Sequence, residues 1–214
     1  VREPEQVVKK GIRIRSKKPI SVYVINSKVF TSDGFMAIPV NAWGREYLAT
    51  SYYDFREFDN WAGGFIIIAR ENATSVDIQL RGTGQLDART AGGRQIGGPP
   101  FTIMLDEGDV FMVKGDGQTR GVFDLTGSKI TADKPIGLMS FHERSTMPNL
   151  LVNGNGRNHL VEMTPPSTTW GKRYVTVEYS RENRNGQGKG DVFRVVAREP
   201  NTRWTLKYYD KTSK

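Results

Sequence analysis

Three stretches of this chain occur twice, in the same order. Gly11-Ile12-Arg13-Ile14-Arg15-Ser16-Lys17-Lys18-Pro19-Ile20 returns 116 residues later as Gly127-Ser128-Lys129-Ile130-Thr131-Ala132-Asp133-Lys134-Pro135-Ile136, with Gly, Ile, Lys, Pro and Ile in register. Trp43-Gly44-Arg45-Glu46-Tyr47, with Tyr52, returns after 127 residues as Trp170-Gly171-Lys172-Arg173-Tyr174, with Tyr179. Phe65-Ile66-Ile67-Ile68-Ala69-Arg70-Glu71 through Thr74 returns after 128 residues as Phe193-Arg194-Val195-Val196-Ala197-Arg198-Glu199 through Thr202. Ordered matches whose spacing drifts only through loop insertions mark two copies of one structural unit. The division falls at residues 1–118 and 119–214.

Period-two alternation and β-branched clusters, punctuated by Gly, Asn, Asp and Pro, give the unit its class. In the first copy strands are predicted at 11–16, 20–26, 35–39, 46–52, 64–70, 75–80, 101–105 and 109–114. In the second they are predicted at 121–131, 135–141, 159–163, 173–180, 191–197 and 202–209. No stretch carries a 3.6-residue apolar stripe, and 23 glycines are poor helix material. The expected fold is all-β, two tandem β-sandwich units with jelly-roll or Greek-key connections. Ile66-Ile67-Ile68 and Val195-Val196, apolar on both faces, predict a central strand. Tight turns follow at Glu71–Thr74 and Glu199–Thr202, and Gly108-Asp109 and Gly190-Asp191 are read as turns closing hairpins. Long loops are expected at 82–100, 143–158 and 181–190, the places where a rigid scaffold carries binding.

The first copy opens inside what the second shows to be a strand, and Phe101–Val113 has no counterpart after Lys214, so a piece of a longer chain is expected. No apolar run approaches the ~18 residues of a membrane span, so no membrane insertion is expected. The absence of cysteine removes disulfides, thiolate catalysis and zinc-thiolate sites together. Asn72-Ala73-Thr74 fits the N-glycosylation pattern between two predicted strands.

Net charge is +8, and seven of the basic residues fall in the first 18 positions. Lys9, Lys10, Arg13, Arg15, Lys17 and Lys18 form a candidate patch for a polyanion such as sulfated glycan or nucleic acid. The alternation of Arg13 and Arg15 with Ile12 and Ile14 also describes the solvent face of a half-buried strand, and this plainer reading is preferred.

Catalytic chemistry finds little material. With two histidines, a nucleophilic triad would have to use His142 or His159, and neither sits in a nucleophile elbow. The stretch 101–111 resembles the strand-turn-strand of cupin barrels, but the His-x-His that cupin metal chemistry needs is missing. A bicupin-like metal enzyme using His142, His159 and Glu162 is kept as the alternative, and no cofactor is expected. Trp43 and Trp170 occupy equivalent repeat positions and are expected to pack at a core corner. Trp61 lies outside the repeats, in an aromatic stretch with Tyr53, Phe55 and Phe58. Aromatics interleaved with charges suit protein or glycan contact, against burial between the two units.

Asp124-Leu125-Thr126-Gly127-Ser128-Lys129-Ile130, Lys134-Pro135-Ile136, His159-Leu160-Val161-Glu162 with Pro165-Pro166, and Asp191–Ala197 together resemble the IgGFc-binding protein N-terminal domain family. Pro19–Tyr23, Ala37–Val40 and Gly44–Tyr47 resemble the same pattern in the first copy. The resemblance implies a non-catalytic, extracellular module of large secreted or surface proteins, serving adhesion or matrix assembly through loops and strand edges. Expected partners are other proteins or neighbouring copies, with glycans as a further class and nucleic acid disfavoured. Family members commonly place cysteines just before the His-Leu-Val-Glu motif, where this chain has Arg157 and Asn158.

Overall fold

Residues 1–29, 31–52, 61–82, 89–117, 124–146, 157–177, 192–207 and 209 are described by a computed structural model. They form ten strands: β1 (Val7–Lys9), β2 (Tyr23–Lys28), β3 (Thr31–Met36), β4 (Gly44–Leu48), β5 (Gly63–Ala69), β6 (Thr74–Gln79), β7 (Phe101–Leu105), β8 (Asp109–Lys114), β9 (Lys129–Ser145) and β10 (Asn158–Thr164). Helical structure among them is confined to two 3₁₀ turns, Val40–Ala42 and Ser167–Thr169. The protein is all-β, as expected.

Strand β9, 17 residues long, organises the molecule. Its first part, around Lys129–Ala132, lies between β4 and β6, and β7 continues that layer beyond β6. Its second part, Ile136–Ser145, lies between β5 and β10, and β8 and β1 continue that layer beyond β5. The layers change over at Asp133-Lys134-Pro135, where proline has no amide to give to a ladder. Inward-facing residues of the two layers, including Tyr47, Phe65, Ile67, Val76, Ile78, Leu105, Phe111, Ile130, Ile136 and Leu138, make one continuous core. In β6 the alternation is plain: Thr74, Val76 and Ile78 are buried, while Asp77 faces water.

Strands β5 and β6, consecutive in the chain, do not pair with each other. Strand β5 pairs with β8 and β9, whereas β6, four residues further on, pairs with β7 and β9. The Ile66–Ile68 strand is therefore central, as its apolar run predicts. The Gly108-Asp109 turn corrects the sequence reading: it does not close a hairpin, because β7 pairs with β6 and β8 pairs with β5 and β1. Gly108 takes a positive φ of 82° there, and its N–H donates to Ala69 O across the sandwich.

The repeat is visible as local geometry. The β2–β3 hairpin pairs Tyr23 with Met36, Val24 with Phe35 and Ile25 with Gly34; β9–β10 pairs the equivalent Met139 with Met163, Ser140 with Glu162 and Phe141 with Val161. A 3₁₀ turn follows each hairpin, and the indole N–H after it reaches back, Trp43 to Ile38 O at 2.9 Å and Trp170 to Pro165 O at 3.3 Å. Gly44 N–H donates to the Tyr47 hydroxyl at 2.9 Å, and Gly171 N–H to the Tyr174 hydroxyl at 2.8 Å. Ala73 and Asn201 share a positive φ, and beside them Thr74 and Thr202 hydroxyls donate to Glu71 O and Glu199 O.

The two copies differ in what surrounds these local shapes. Among the described residues one nearly closed, eight-stranded sheet forms, in which β9 lies between strands from residues 1–118 and β10 pairs with β9. The strands expected at 173–180, 191–197 and 202–209 are corrected: the described parts of these segments have no ladder partner and form no strand. The same holds for the strand expected at 11–16. A strand exists only where a neighbour takes its backbone hydrogen bonds, so β propensity alone does not make one.

Tyr47 joins the repeat motif to the core. Its hydroxyl, buried under both layers, donates to Ile136 O at 2.6 Å. Burial pushes its pKa above the ordinary 10.0, with the Gly44 amide opposing. The folded protein therefore holds this proton at pH values where the unfolded chain gives it up. Its contribution is whole below pH 10 and is lost as pH rises past that value. Tyr47→Phe is expected to cost about 1–2 kcal/mol at neutral pH, by leaving buried groups unpaired, and to flatten the loss of stability above pH 10. Urea unfolding of both proteins from pH 7 to 11 measures this, and equal alkaline slopes would contradict the assignment.

Candidate functional site

Trp61 stands at the entrance to β5, where the ends of β5, β8 and β9 meet. Ala62 N–H donates to Glu143 Oε2 at 3.0 Å, and Glu143 N–H donates to Ala62 O at 3.0 Å. The Lys114 ammonium closes on Glu143 Oε1 at 2.5 Å. This clamp fixes the backbone beside Trp61, leaving the half-buried indole under two guanidinium groups: Arg144 at 4.7 Å and Arg157 at 5.4 Å from the ring centre. Cations over an indole face are attracted by its quadrupole. A partly exposed Trp with paired Arg is the side-chain set that dominates protein interfaces. Of the aromatic stretch expected to bind, Trp61 is thus placed on a built, cationic surface, and Tyr53, Phe55 and Phe58 lie outside the described residues.

Arg144 and Arg157 escaped the sequence reading because they reach Trp61 from other elements, from the end of β9 and from just before β10. Arg157 and Asn158 carried the one available signal, as the departure from the family's cysteines. Asn158 does the fastening there: its amide oxygen accepts from Ser32 N at 2.8 Å and Thr31 Oγ1 at 3.1 Å, and its amide nitrogen donates to Ser32 O at 2.7 Å. The β2–β3 hairpin is held against β10 without a thiol.

A second unforeseen link is Asp124 with Arg194. The Asp124 carboxylate is buried, meets the Arg194 guanidinium at 2.6 Å and accepts from Thr126 N and Oγ1. Arg194 also donates to Ser51 O and lies 5.3 Å over the Tyr52 ring. It replaces Ile66 of the first copy, and a charge set in an otherwise apolar repeat strand was a readable sign of such a contact.

The residues of the enzyme alternative do not assemble. His142 is buried, with Nδ1 accepting from Arg144 N at 3.0 Å. His159 donates its backbone N–H to Thr31 Oγ1, and Glu162 has its pKa raised by desolvation and by the nearby Asp33 charge. Among the described residues no three His, Cys, Asp or Glu are grouped to hold a metal.

The basic segment is broken up as well. Lys10 pairs with Glu3 at 2.8 Å and Arg13 with Glu107, while Lys9 sits in β1 and Arg15, Lys17 and Lys18 are exposed. Asn72 is exposed at the β5–β6 turn, its Oδ1 accepting from Glu107 N at 2.9 Å. No described helix is long and apolar enough to cross a membrane.

The family model described as IgGFc binding protein matches residues 33–213. This chain belongs to that family. A human protein named IgGFc-binding protein is 26% identical over 184 residues, covering 84% of this chain and 3% of its own length. The chain thus spans a small fraction of that relative. No solved structure matches.

Proposed function

We propose that this chain is a non-catalytic, extracellular protein-binding module, made of two sequence repeats at 1–118 and 119–214, that works in adhesion or matrix assembly. The observation that carries the reading is Trp61, half-exposed beneath Arg144 and Arg157 on a clamped backbone, in a family named for binding a protein. Tyr53, Phe55 and Phe58 extend this surface in sequence. Copies associate with each other through strand edges, and Asn72 carries a glycan. The patch Lys9, Lys10, Arg13, Arg15, Lys17 and Lys18 is a weaker polyanion surface, since two of its members already have carboxylate partners.

Immobilised IgG Fc is the first partner to try, given the relative's name. Truncating an interface anchor costs ~2 kcal/mol or more, about 30-fold in affinity. Trp61→Ala is therefore expected to weaken Fc binding by that factor, with the melting temperature within a few degrees of the parent. Undiminished binding by a folded Trp61→Ala protein would remove Trp61 from the interface. Failure of the parent to bind Fc would remove Fc as the partner.

A further inference from the structure

The charges gathered at Trp61 are not balanced as they are elsewhere on the molecule. Glu143 is engaged on both carboxylate oxygens, Oε1 by the Lys114 ammonium at 2.5 Å and Oε2 by the Ala62 N–H at 3.0 Å. Arg144, next to it in β9, lies over the indole instead and meets no carboxylate among the described residues. Its Nε is buried with no hydrogen-bond acceptor. Arg157 brings a second guanidinium to the same ring, so the two cations lie within about a Debye length of each other, ~10 Å at 0.1 M salt. Other arginines have their own acids: Arg194 meets Asp124 at 2.6 Å, Arg94 meets Glu5 at 2.8 Å and Arg198 meets Glu46 at 3.0 Å.

A guanidinium partly stripped of water on an aromatic face, with no acid beside it, attracts an anion more strongly than one in bulk water, because the local dielectric is lower. Arg144 is also held ready for one. Its N–H donates to His142 Nδ1 at 3.0 Å, and the residue before it is fastened at the entrance to β5, where Glu143 N–H donates to Ala62 O at 3.0 Å. Little of this backbone has to be ordered when a ligand arrives, and that lowers the cost of binding.

We propose that the Trp61 surface takes an acidic segment of a partner protein, with a Glu or Asp carboxylate on Arg144, Arg157 adding to the attraction, and an apolar neighbour of that carboxylate against the indole. A carboxylate can accept two parallel N–H bonds from a guanidinium, so the contact carries direction as well as charge. A protein fits this surface better than a sulfated chain does. A repeating polyanion draws on a row of cations along its length, whereas the charge here is two arginines gathered on one half-buried ring. Trp61 is the anchor and Arg144 the residue that selects for acid.

This assignment rests on the protein-binding reading of the Trp61 surface and adds the chemistry of what binds there. The probe is a short immobilised peptide in which Glu alternates with Leu and Ser, set against the same peptide with Gln for Glu and against heparin. The whole chain is expected to bind the Glu peptide at least about tenfold more tightly than the Gln peptide, and less tightly as salt is raised. Arg144→Gln should lose about that factor with its melting temperature unmoved, since Arg144 has no acid partner in the folded chain to give up. Arg144→Glu should lose the preference for Glu over Gln altogether, which a purely structural role for Arg144 would not bring about. Equal binding of the two peptides, no binding of either, or an Arg144→Gln protein as selective as the parent would overturn the acidic partner. Heparin bound in preference to both peptides, and released by Arg144→Gln, would overturn it in favour of a glycan. If the two peptides bind alike and Trp61→Ala removes both, the protein-binding surface stands and its selectivity for acid falls; if Trp61→Ala leaves binding intact, both fall.

Discussion

Ile130→Ala is expected to lower the unfolding free energy by about 3 kcal/mol, and Ile14→Ala, its repeat equivalent, by less than about 0.5 kcal/mol. Residue type, flanking pattern and repeat position are the same; surroundings differ. Ile130 is in β9, opposite Tyr47 on one side and Ile78 on the other, and is closed off by both layers. Removing its side chain loses the transfer energy of the buried carbons and leaves a cavity that two paired neighbours prevent from collapsing. Ile14 has no ladder partner and is 59% exposed, so its truncation removes little buried surface. Against a total of about 5–15 kcal/mol for a domain, the first loss is large. Urea unfolding of the two variants at low protein concentration gives both numbers. Equal losses would mean that the two strands are packed alike, contradicting the assignment of one to the interior of the sandwich.

Gly64→Val is expected to cost at least about 3 kcal/mol, at the upper end of what overpacking a core costs. Gly64 lies mid-ladder, opposite Lys114 on β8 and Phe141 on β9. A Cβ there would lie 2.8 Å from Lys114 Cα and nearer still to the carbonyl oxygen of Val113. These are backbone atoms, so no rotamer change relieves the clash, and β5 must move away from β8. That movement also disturbs the Lys114–Glu143 clamp beneath Trp61. In the second copy the equivalent residue is Val192, and among the described residues no strand pairs with it. Denaturant midpoints measure the effect, with Gly64→Ala as a milder variant should the valine protein fail to fold. A loss under about 1 kcal/mol for Gly64→Val would show that β5 and β8 do not approach so closely.

Much of the molecule was legible because its cues are local. The alternation in Thr74–Gln79, the apolar run Ile66–Ile68 and the turns after them announce strands and a central position with no knowledge of neighbours. The Trp-Gly-x-x-Tyr repeat fixes a 3₁₀ turn and a Gly-to-Tyr hydrogen bond spanning three residues, and both copies form it. Segments 173–177, 192–197 and 202–207 carry equally good strand patterns and form none, since a pattern records what a segment can bury, not whether a partner is there. The site divides in the same way. Trp61 was picked out by its composition, while Glu143 and Arg144 come to it through the β5–β9 pairing and Arg157 through β9–β10, contacts made by residues some 80 to 100 positions away in sequence.

By itself the sequence determined an all-β chain in which several local motifs are written twice, because residue alternation, turn chemistry and repetition are properties of the chain read residue by residue. Tertiary structure alone decided that β9 lies among strands from residues 1–118 and carries β10 with it, and that the described strand-like segments at 173–177, 192–197 and 202–207 form no ladder. The reason is that backbone hydrogen bonding in a sheet is satisfied between segments, so which strand fills which gap depends on where distant stretches are brought together.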